Sequence, residues 1–293
     1  MNRKRTILLY GRTRSGKSTQ IGQLAESVYK STKKITRLYA ADRGGFDPIR
    51  PYIELGVIEV VELGDSDPWI FLNKAVRGMV RDASGKWVPG KNDNIGMFAF
   101  ESMTAFADEL MASMARKASE NVNIGGGANI SFVISGDNET LKVSGSNMAH
   151  YGVCQSRIKE EVWQSQKLNA DYILWTASAS KDEDQDAAGK VLGPAVVGKA
   201  MTAEVPRWFG LTFRLDCIAA QQGKPERHIL YLGNSVDTTA GNAVSLGNTR
   251  VPLDSTPLAS SLEPASIVKA LQMIDEASVQ AVDTIKKRLA SNG

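Results

Sequence analysis

Gly11-Arg12-Thr13-Arg14-Ser15-Gly16-Lys17-Ser18 is the stretch on which the reading of this chain turns. It fits G-x-x-x-x-G-K-[ST] in full, and each fixed residue type has a physical task. Gly11 and Gly16 let the backbone turn sharply, so that successive N–H groups point inward and cradle a phosphate. Arg12, Thr13, Arg14 and Ser15 form the rest of the cradle. Lys17 places a point charge on the β- and γ-phosphates, and the Ser18 hydroxyl is a ligand for Mg²⁺. The following helix aims the positive end of its dipole at the anion. Thr19 lines the nucleotide by position alone. A chance match in a chain of this length is on the order of one in a hundred, so a glycine turn beside a solvated lysine is the weaker reading. The expected ligand is a nucleoside triphosphate, ATP with Mg²⁺.

The flanks agree. The apolar run 6–10 ends at glycine and reads as a buried strand. After the loop, Ile21, Leu24, Ala25 and Val28 fall on one helical face. Further runs at 36–41, 57–63, 95–100 and 172–176 read as strands. The segments 18–30, 48–55, 104–119, 151–168 and 199–209 read as helices. Asp67 as N-cap and Pro68 at the first helical position open another helix through about Met79. The polar stretch 82–94 reads as a surface loop. Residues 121–147 carry Gly125-Gly126-Gly127 and a hairpin pattern, and are expected to be a mobile insertion. Residues 178–198 form a long loop, and 211–219 with 227–232 form a strand pair. A C-terminal helix, in one or two pieces, spans 264–289. Strands alternating with helices predict an α/β fold: a mostly parallel sheet flanked by helices, with an antiparallel edge hairpin. The expected division is a nucleotide-binding core over 1–235 and a turn-rich extension with the C-terminal helix over 236–293.

Composition narrows the partners. The chain has 293 residues, 42% of them hydrophobic, and a formal net charge of +3. That length can bury a large core, and that charge does not suit a protein that coats nucleic acid. Cys154 and Cys217 lack metal-ligand spacing and read as two small buried hydrophobes in a reducing compartment. The basic start is followed by too short an apolar run for a secretion signal, and no stretch approaches the ~20 apolar residues of a membrane span. The expectation is a soluble, cytoplasmic protein.

A phosphate loop also needs an acid near the metal and a group that activates water. The candidates stand at strand ends. Glu101 follows the run 95–100; the alternative is an acid that favours the next helix through its dipole. Asp42 follows 36–41; the alternative is a turn residue before Gly44-Gly45. Thr176 would sense the γ-phosphate, or be a plain strand-end threonine. Trp163 and Trp175 would stack on bases or, the better reading, pack in the core. His150 and His228 read as isolated structural or surface residues.

The order of these pieces resembles the core of the RecA-like ATPases. Tyr39-Ala40-Ala41-Asp42, then Phe46-Asp47-Pro48 and Leu55-Gly56-Val57, looks like the segment that carries that family's catalytic carboxylate. The resemblance implies Asp42 as the water-activating acid, where the family usually has glutamate. Phe98-Ala99-Phe100-Glu101-Ser102 looks like the Walker B strand, with Glu101 in place of the usual aspartate. Gly198-Lys199-Ala200 is similar to the family's glycine-containing helix start. Within the superfamily, the chain most resembles phage-encoded RecA-like ATP-binding proteins, some of which are single-strand annealing recombination proteins. Asp42-Arg43-Gly44-Gly45, Trp175-Thr176-Ala177-Ser178 and Asn248-Thr249-Arg250 look typical of that group. The likeness covers roughly residues 5–255. Ala177 departs from it, standing where RecA has a nucleotide-sensing glutamine.

The resemblance implies a homo-oligomer with ATP between neighbouring subunits, Arg250 as a finger reaching a neighbour's nucleotide, and two loops facing DNA. By that analogy the loops are 121–147 and 178–198. The first is nearly uncharged, and the second opens with Lys181-Asp182-Glu183-Asp184 and Asp186, which repel phosphate. Two functions are therefore open. One is an oligomeric ATPase acting on single-stranded DNA. The other is a nucleotide-gated assembly factor with little hydrolysis and a phage or host protein as partner. A small-molecule kinase would need an arginine-rich lid, which 178–198 lacks.

Overall fold

The computed structural model describes residues 4–41, 45–119, 130–136, 139–145, 148–179, 191–220, 225–232, 236–237, 243–245, 248–249, 258–259 and 261–291. The elements run β1 (Arg5–Gly11), α1 (Lys17–Thr32), β2 (Ile35–Ala40), a 3₁₀ turn (Asp47–Ile49), α2 (Arg50–Glu54), β3 (Ile58–Glu62), α3 (Pro68–Ala75), β4 (Met79–Arg81), β5 (Trp87–Pro89), β6 (Ile95–Glu101) and α4 (Met103–Ser119). They continue β7 (Ile130–Gly136), β8 (Glu139–Gly145), α5 (Met148–Ser165), β9 (Tyr172–Ser178), β10 (Val191–Leu192), α6 (Lys199–Glu204), a second 3₁₀ turn (Val205–Trp208), β11 (Leu211–Ile218), β12 (Arg227–Tyr231), β13 (Val236–Asp237), β14 (Ala243–Ser245), β15 (Asn248–Thr249), β16 (Ser261–Leu262) and α7 (Ile267–Ser291).

Six strands lie parallel in the order β11-β1-β9-β6-β2-β3. β12 and then β16 extend the β11 edge antiparallel, and β15 also pairs with β11. The parallel strands are apolar because helices cover both faces. Alternation along β1 divides the core: Leu8 and Tyr10 pack with Phe71 of α3, Phe106 of α4 and Ile158 of α5. Ile7 and Leu9 pack on the other face with Ile21 and Leu24 of α1 and Ile267 and Leu271 of α7. Burial of each such side chain contributes about 1.5–3 kcal/mol. The sheet flanked by helices, the antiparallel edge hairpin and the C-terminal helix are those the sequence predicts.

Two local readings are corrected. Residues 82–94 are not simply a loop. β5 lies within that stretch and pairs antiparallel with β4 just before it, the hairpin turned by Gly85 at φ 79° and by Asp82, whose carboxylate accepts from the N–H groups of Ser84 and Lys86. Accordingly α3 stops at Ala75, and Gly78 turns the chain at φ 69° before Met79. Its start is as expected: Asp67 caps it by accepting from Trp69 N and Ile70 N at 2.9 and 3.2 Å. Of the two alternatives left open for the C-terminal helix, the structure has the single piece: α7 is one unbroken helix of 25 residues. The hairpin read into 121–147 is present as β7 and β8, while 120–129 and 180–190 lie outside the described residues. No helix among the described residues is long and apolar enough to cross a membrane.

Candidate nucleotide-binding site

The parallel register brings the strand ends to one edge of the sheet. Gly11 pairs with Ser178, Leu9 with Thr176, Ala40 with Glu101 and Phe100 with Trp175. Open α/β sheets bind ligands outside the carboxyl ends of their strands, and the candidates among the described residues, the loop 11–19, Glu101 and Thr176, fall at or beside this edge. Asp42 follows Ala41, whose N–H donates to Glu101 O at 2.8 Å. Asp42 itself and Arg250 lie outside the described residues.

Between β1 and α1 the chain forms the expected cradle. Arg14 and Gly16 both take left-handed backbone angles, φ 64° and 97°. Alternation of hand points neighbouring N–H groups into one concavity. Gly16 is thus glycine for its dihedral angle. Gly11 is glycine for a different reason: a Cβ there would lie 2.1 Å from the Leu215 carbonyl oxygen of β11. Arg12, Thr13, Arg14 and Thr19 are exposed around the cradle, while Ser15 is buried.

Lys17 Nζ donates to Gly11 O at 2.8 Å and Arg12 O at 2.9 Å, so its charge spans the loop. Ser18 Oγ donates to Glu101 Oε1 at 2.6 Å. The first turn of α1 and the end of β6 therefore place a hydroxyl and a carboxylate together, both hard oxygen donors of the kind Mg²⁺ takes. The buried Ser15 Oγ has no hydrogen-bond partner among the described residues. A buried unpaired hydroxyl costs about 1–3 kcal/mol, and an anion in the cradle would relieve it. Residues and chemistry thus fit a phosphate chain with Mg²⁺.

Thr176 is fully buried two residues inside β9, and its hydroxyl has no hydrogen-bond partner among the described residues. At the end of β9, Ala179 N donates to Gly11 O at 3.1 Å, tying the chain to the loop, and Ser178 N donates to Thr104 Oγ1 of α4 at 3.0 Å.

His228 was not foreseen, and the reading of it as isolated is corrected. Its Nδ1 lies 2.9 Å from Ser15 O, and its ring lies over Gly16. It helps line a cleft of about 400 Å³ beside the loop, with Thr19, Gln23, Arg227 and Pro264. No sequence pattern reveals this, because the contact is to a backbone oxygen 213 residues away. Cys217 is likewise not a buried hydrophobe. It is partly exposed, and the Glu226 carboxylate beside it pushes its thiol up to about 11. Cys154 is buried as expected, which pushes its thiol up to about 12. Trp175 is a core residue stacked on Phe100 at 4.4 Å. Trp163, by contrast, is half exposed, with Lys159 Nζ 5.2 Å from its ring centroid.

No protein-family model and no curated protein matches the chain. Among solved structures it is similar to a KaiC-like protein from the hyperthermophilic archaeon Pyrococcus horikoshii OT3, at 12% identity and a TM-score of 0.41, over 78% of this chain and 77% of that one. It is also similar to the RadB recombinase, at 14% identity and a TM-score of 0.41, over 78% of this chain and 79% of that one.

Proposed function

We propose that the chain is a Mg²⁺-dependent ATP-binding protein of the RecA-like type, of the phage-encoded kind its motifs resemble. It hydrolyses ATP as an oligomer and acts on single-stranded DNA in recombination or replication. The observation that carries the nucleotide reading is the Ser18–Glu101 contact at 2.6 Å beside the loop that Lys17 spans. The loop N–H groups bind and orient the phosphates. Lys17 exchanges its bonds to Gly11 O and Arg12 O for phosphate oxygens. Ser18 and Glu101 would hold Mg²⁺, which neutralises charge on the phosphates when bound. Asp42, which follows Ala41 in the sequence, takes the proton of the attacking water, and Arg250 reaches a neighbour's nucleotide.

The acidic run Asp182-Glu183-Asp184 with Asp186 favours a second reading, a nucleotide-gated assembly factor that ignores DNA. Steady-state ATP hydrolysis with and without single-stranded DNA separates the two, with Lys17→Ala as control. Stimulation by DNA is expected. Hydrolysis that DNA leaves unchanged overturns the recombination reading in favour of the second.

A further inference from the structure

The antiparallel pairing of β11 with β12 gathers three metal-ligating side chains. Cys217 and His228 are direct partners in the ladder, so their side chains share one face. Glu226 stands two residues before His228, and the alternation of an extended chain returns it to that face. The distances follow. Cys217 Sγ lies 3.1 Å from Glu226 Oε1, and His228 Nε2 lies 3.1 Å from the same oxygen. One ligand atom from each of the three lies within 4.8 Å of the other two, and no other group of three among the described residues is so arranged. A tetrahedral ion with ligands at about 2.0–2.3 Å has edges of about 3.3–3.8 Å. The three atoms therefore stand within about 1 Å of metal-bound spacing.

A second observation concerns the far side of the imidazole. His228 Nδ1 faces the Ser15 carbonyl oxygen at 2.9 Å. A neutral ring that donates from Nδ1 turns its Nε2 lone pair toward the Glu226 carboxylate and the Cys217 sulfur. The Cys217 thiol donates to that same carboxylate oxygen, and a metal ion bound to the three atoms would take the place of the thiol proton. A backbone carbonyl on the second ring nitrogen is also the arrangement that fixes the tautomer of metal-bound histidine. The sulfur, nitrogen and oxygen donors suit a borderline ion better than Mg²⁺ or Ca²⁺.

We propose that Cys217, Glu226 and His228 bind a divalent transition metal of the zinc type. Binding releases the thiol proton to solvent and leaves a thiolate–metal bond. Three ligands leave a fourth position for water or a further donor. Through His228 and Ser15 the ion buttresses the phosphate loop from outside, without being the Mg²⁺ of the nucleotide.

The test uses the full chain, freed of metal with a chelator and titrated with Co²⁺ under optical absorption. Expected is a thiolate-to-cobalt charge-transfer band that saturates at a single Co²⁺ per chain and is bleached by Zn²⁺. Cys217→Ser should abolish the band, and Cys154→Ser should keep it. Glu226→Gln and His228→Gln should each weaken Co²⁺ binding by about ten-fold or more. Glu226 is exposed, so that variant leaves the fold intact. Lys17→Ala should keep the band, which separates this proposal from the nucleotide reading. Absence of the band in the wild-type chain overturns the proposal. So does a band that survives Cys217→Ser, or Co²⁺ affinity unchanged in both Glu226→Gln and His228→Gln.

Discussion

Glu101→Gln tests whether the end of β6 serves a metal or only a helix. The substitution keeps the side chain's size and removes one negative charge at the atom that accepts from Ser18 Oγ at 2.6 Å. Two consequences separate. Without metal, a charge-assisted bond becomes a neutral one, which costs the fold about 1 kcal/mol. In a chain of this size that lowers the thermal midpoint by about 2 °C. With metal the effect is larger. A unit charge about 4 Å from a dication is worth about 8 kcal/mol at an effective dielectric constant of about 20, before desolvation offsets most of it. A surviving net loss of about 1.4 kcal/mol already raises the Mg²⁺ requirement ten-fold. The assay is a Mg²⁺ titration at a fixed concentration of a fluorescent ATP analogue. The half-saturating Mg²⁺ concentration should rise about ten-fold or more, with nucleotide affinity at saturating Mg²⁺ little changed. A titration curve that superimposes on the wild type, together with the small drop in thermal midpoint, refutes the reasoning. Glu101 would then be an acid that favours the first turn of α4.

Two further predictions concern packing and pH. Gly11→Ala would set a Cβ 2.1 Å from the Leu215 carbonyl oxygen, and since that atom is backbone, β1 and β11 must part. Overpacking of this kind costs about 1–3 kcal/mol, so urea unfolding should shift to lower concentration; an unshifted midpoint contradicts the close approach. The Cys154 thiol is raised from an ordinary value of 9.0 to about 12, chiefly by burial. A folded-state pKa above the unfolded one means that its contribution is intact below about pH 9 and is lost as pH rises toward about 12. Urea unfolding at pH 8 and pH 10 should therefore show a smaller alkaline loss of stability in Cys154→Ala than in wild type. Equal losses would show that the thiol stays out of the linkage.

The phosphate loop was legible because its chemistry lies in eight contiguous residues, whose types are set by backbone dihedral angle, charge and ligation. The parallel strands were legible because burial on both faces writes continuous apolar runs such as Ile7 to Leu9. The place of Glu101 at the end of β6, beside Ser18, was legible because a strand that ends in an acid is itself a local pattern. Where the reading failed, the information was not local. β4 and β5 are three residues each, too short for an alternating pattern to rise above the polar turn between them. His228 meets the phosphate loop through a main-chain oxygen, which leaves no trace in side-chain types. Cys217, Glu226 and His228 are spaced unlike any ligand motif. Only the β11–β12 register, which sets Cys217 opposite His228, brings them together.

The central claim is that Lys17 and its loop bind the phosphates of ATP. Isothermal titration calorimetry of ATP with Mg²⁺ into the wild-type chain and into Lys17→Ala tests it most directly, with circular dichroism to show that the variant is folded. Lys17 Nζ lies at 2.8 and 2.9 Å from the two loop carbonyls, and its removal should weaken binding by about a hundred-fold or more, about 2.7 kcal/mol. A folded Lys17→Ala that binds ATP as tightly as wild type, or a wild-type chain that does not bind ATP, would contradict the account.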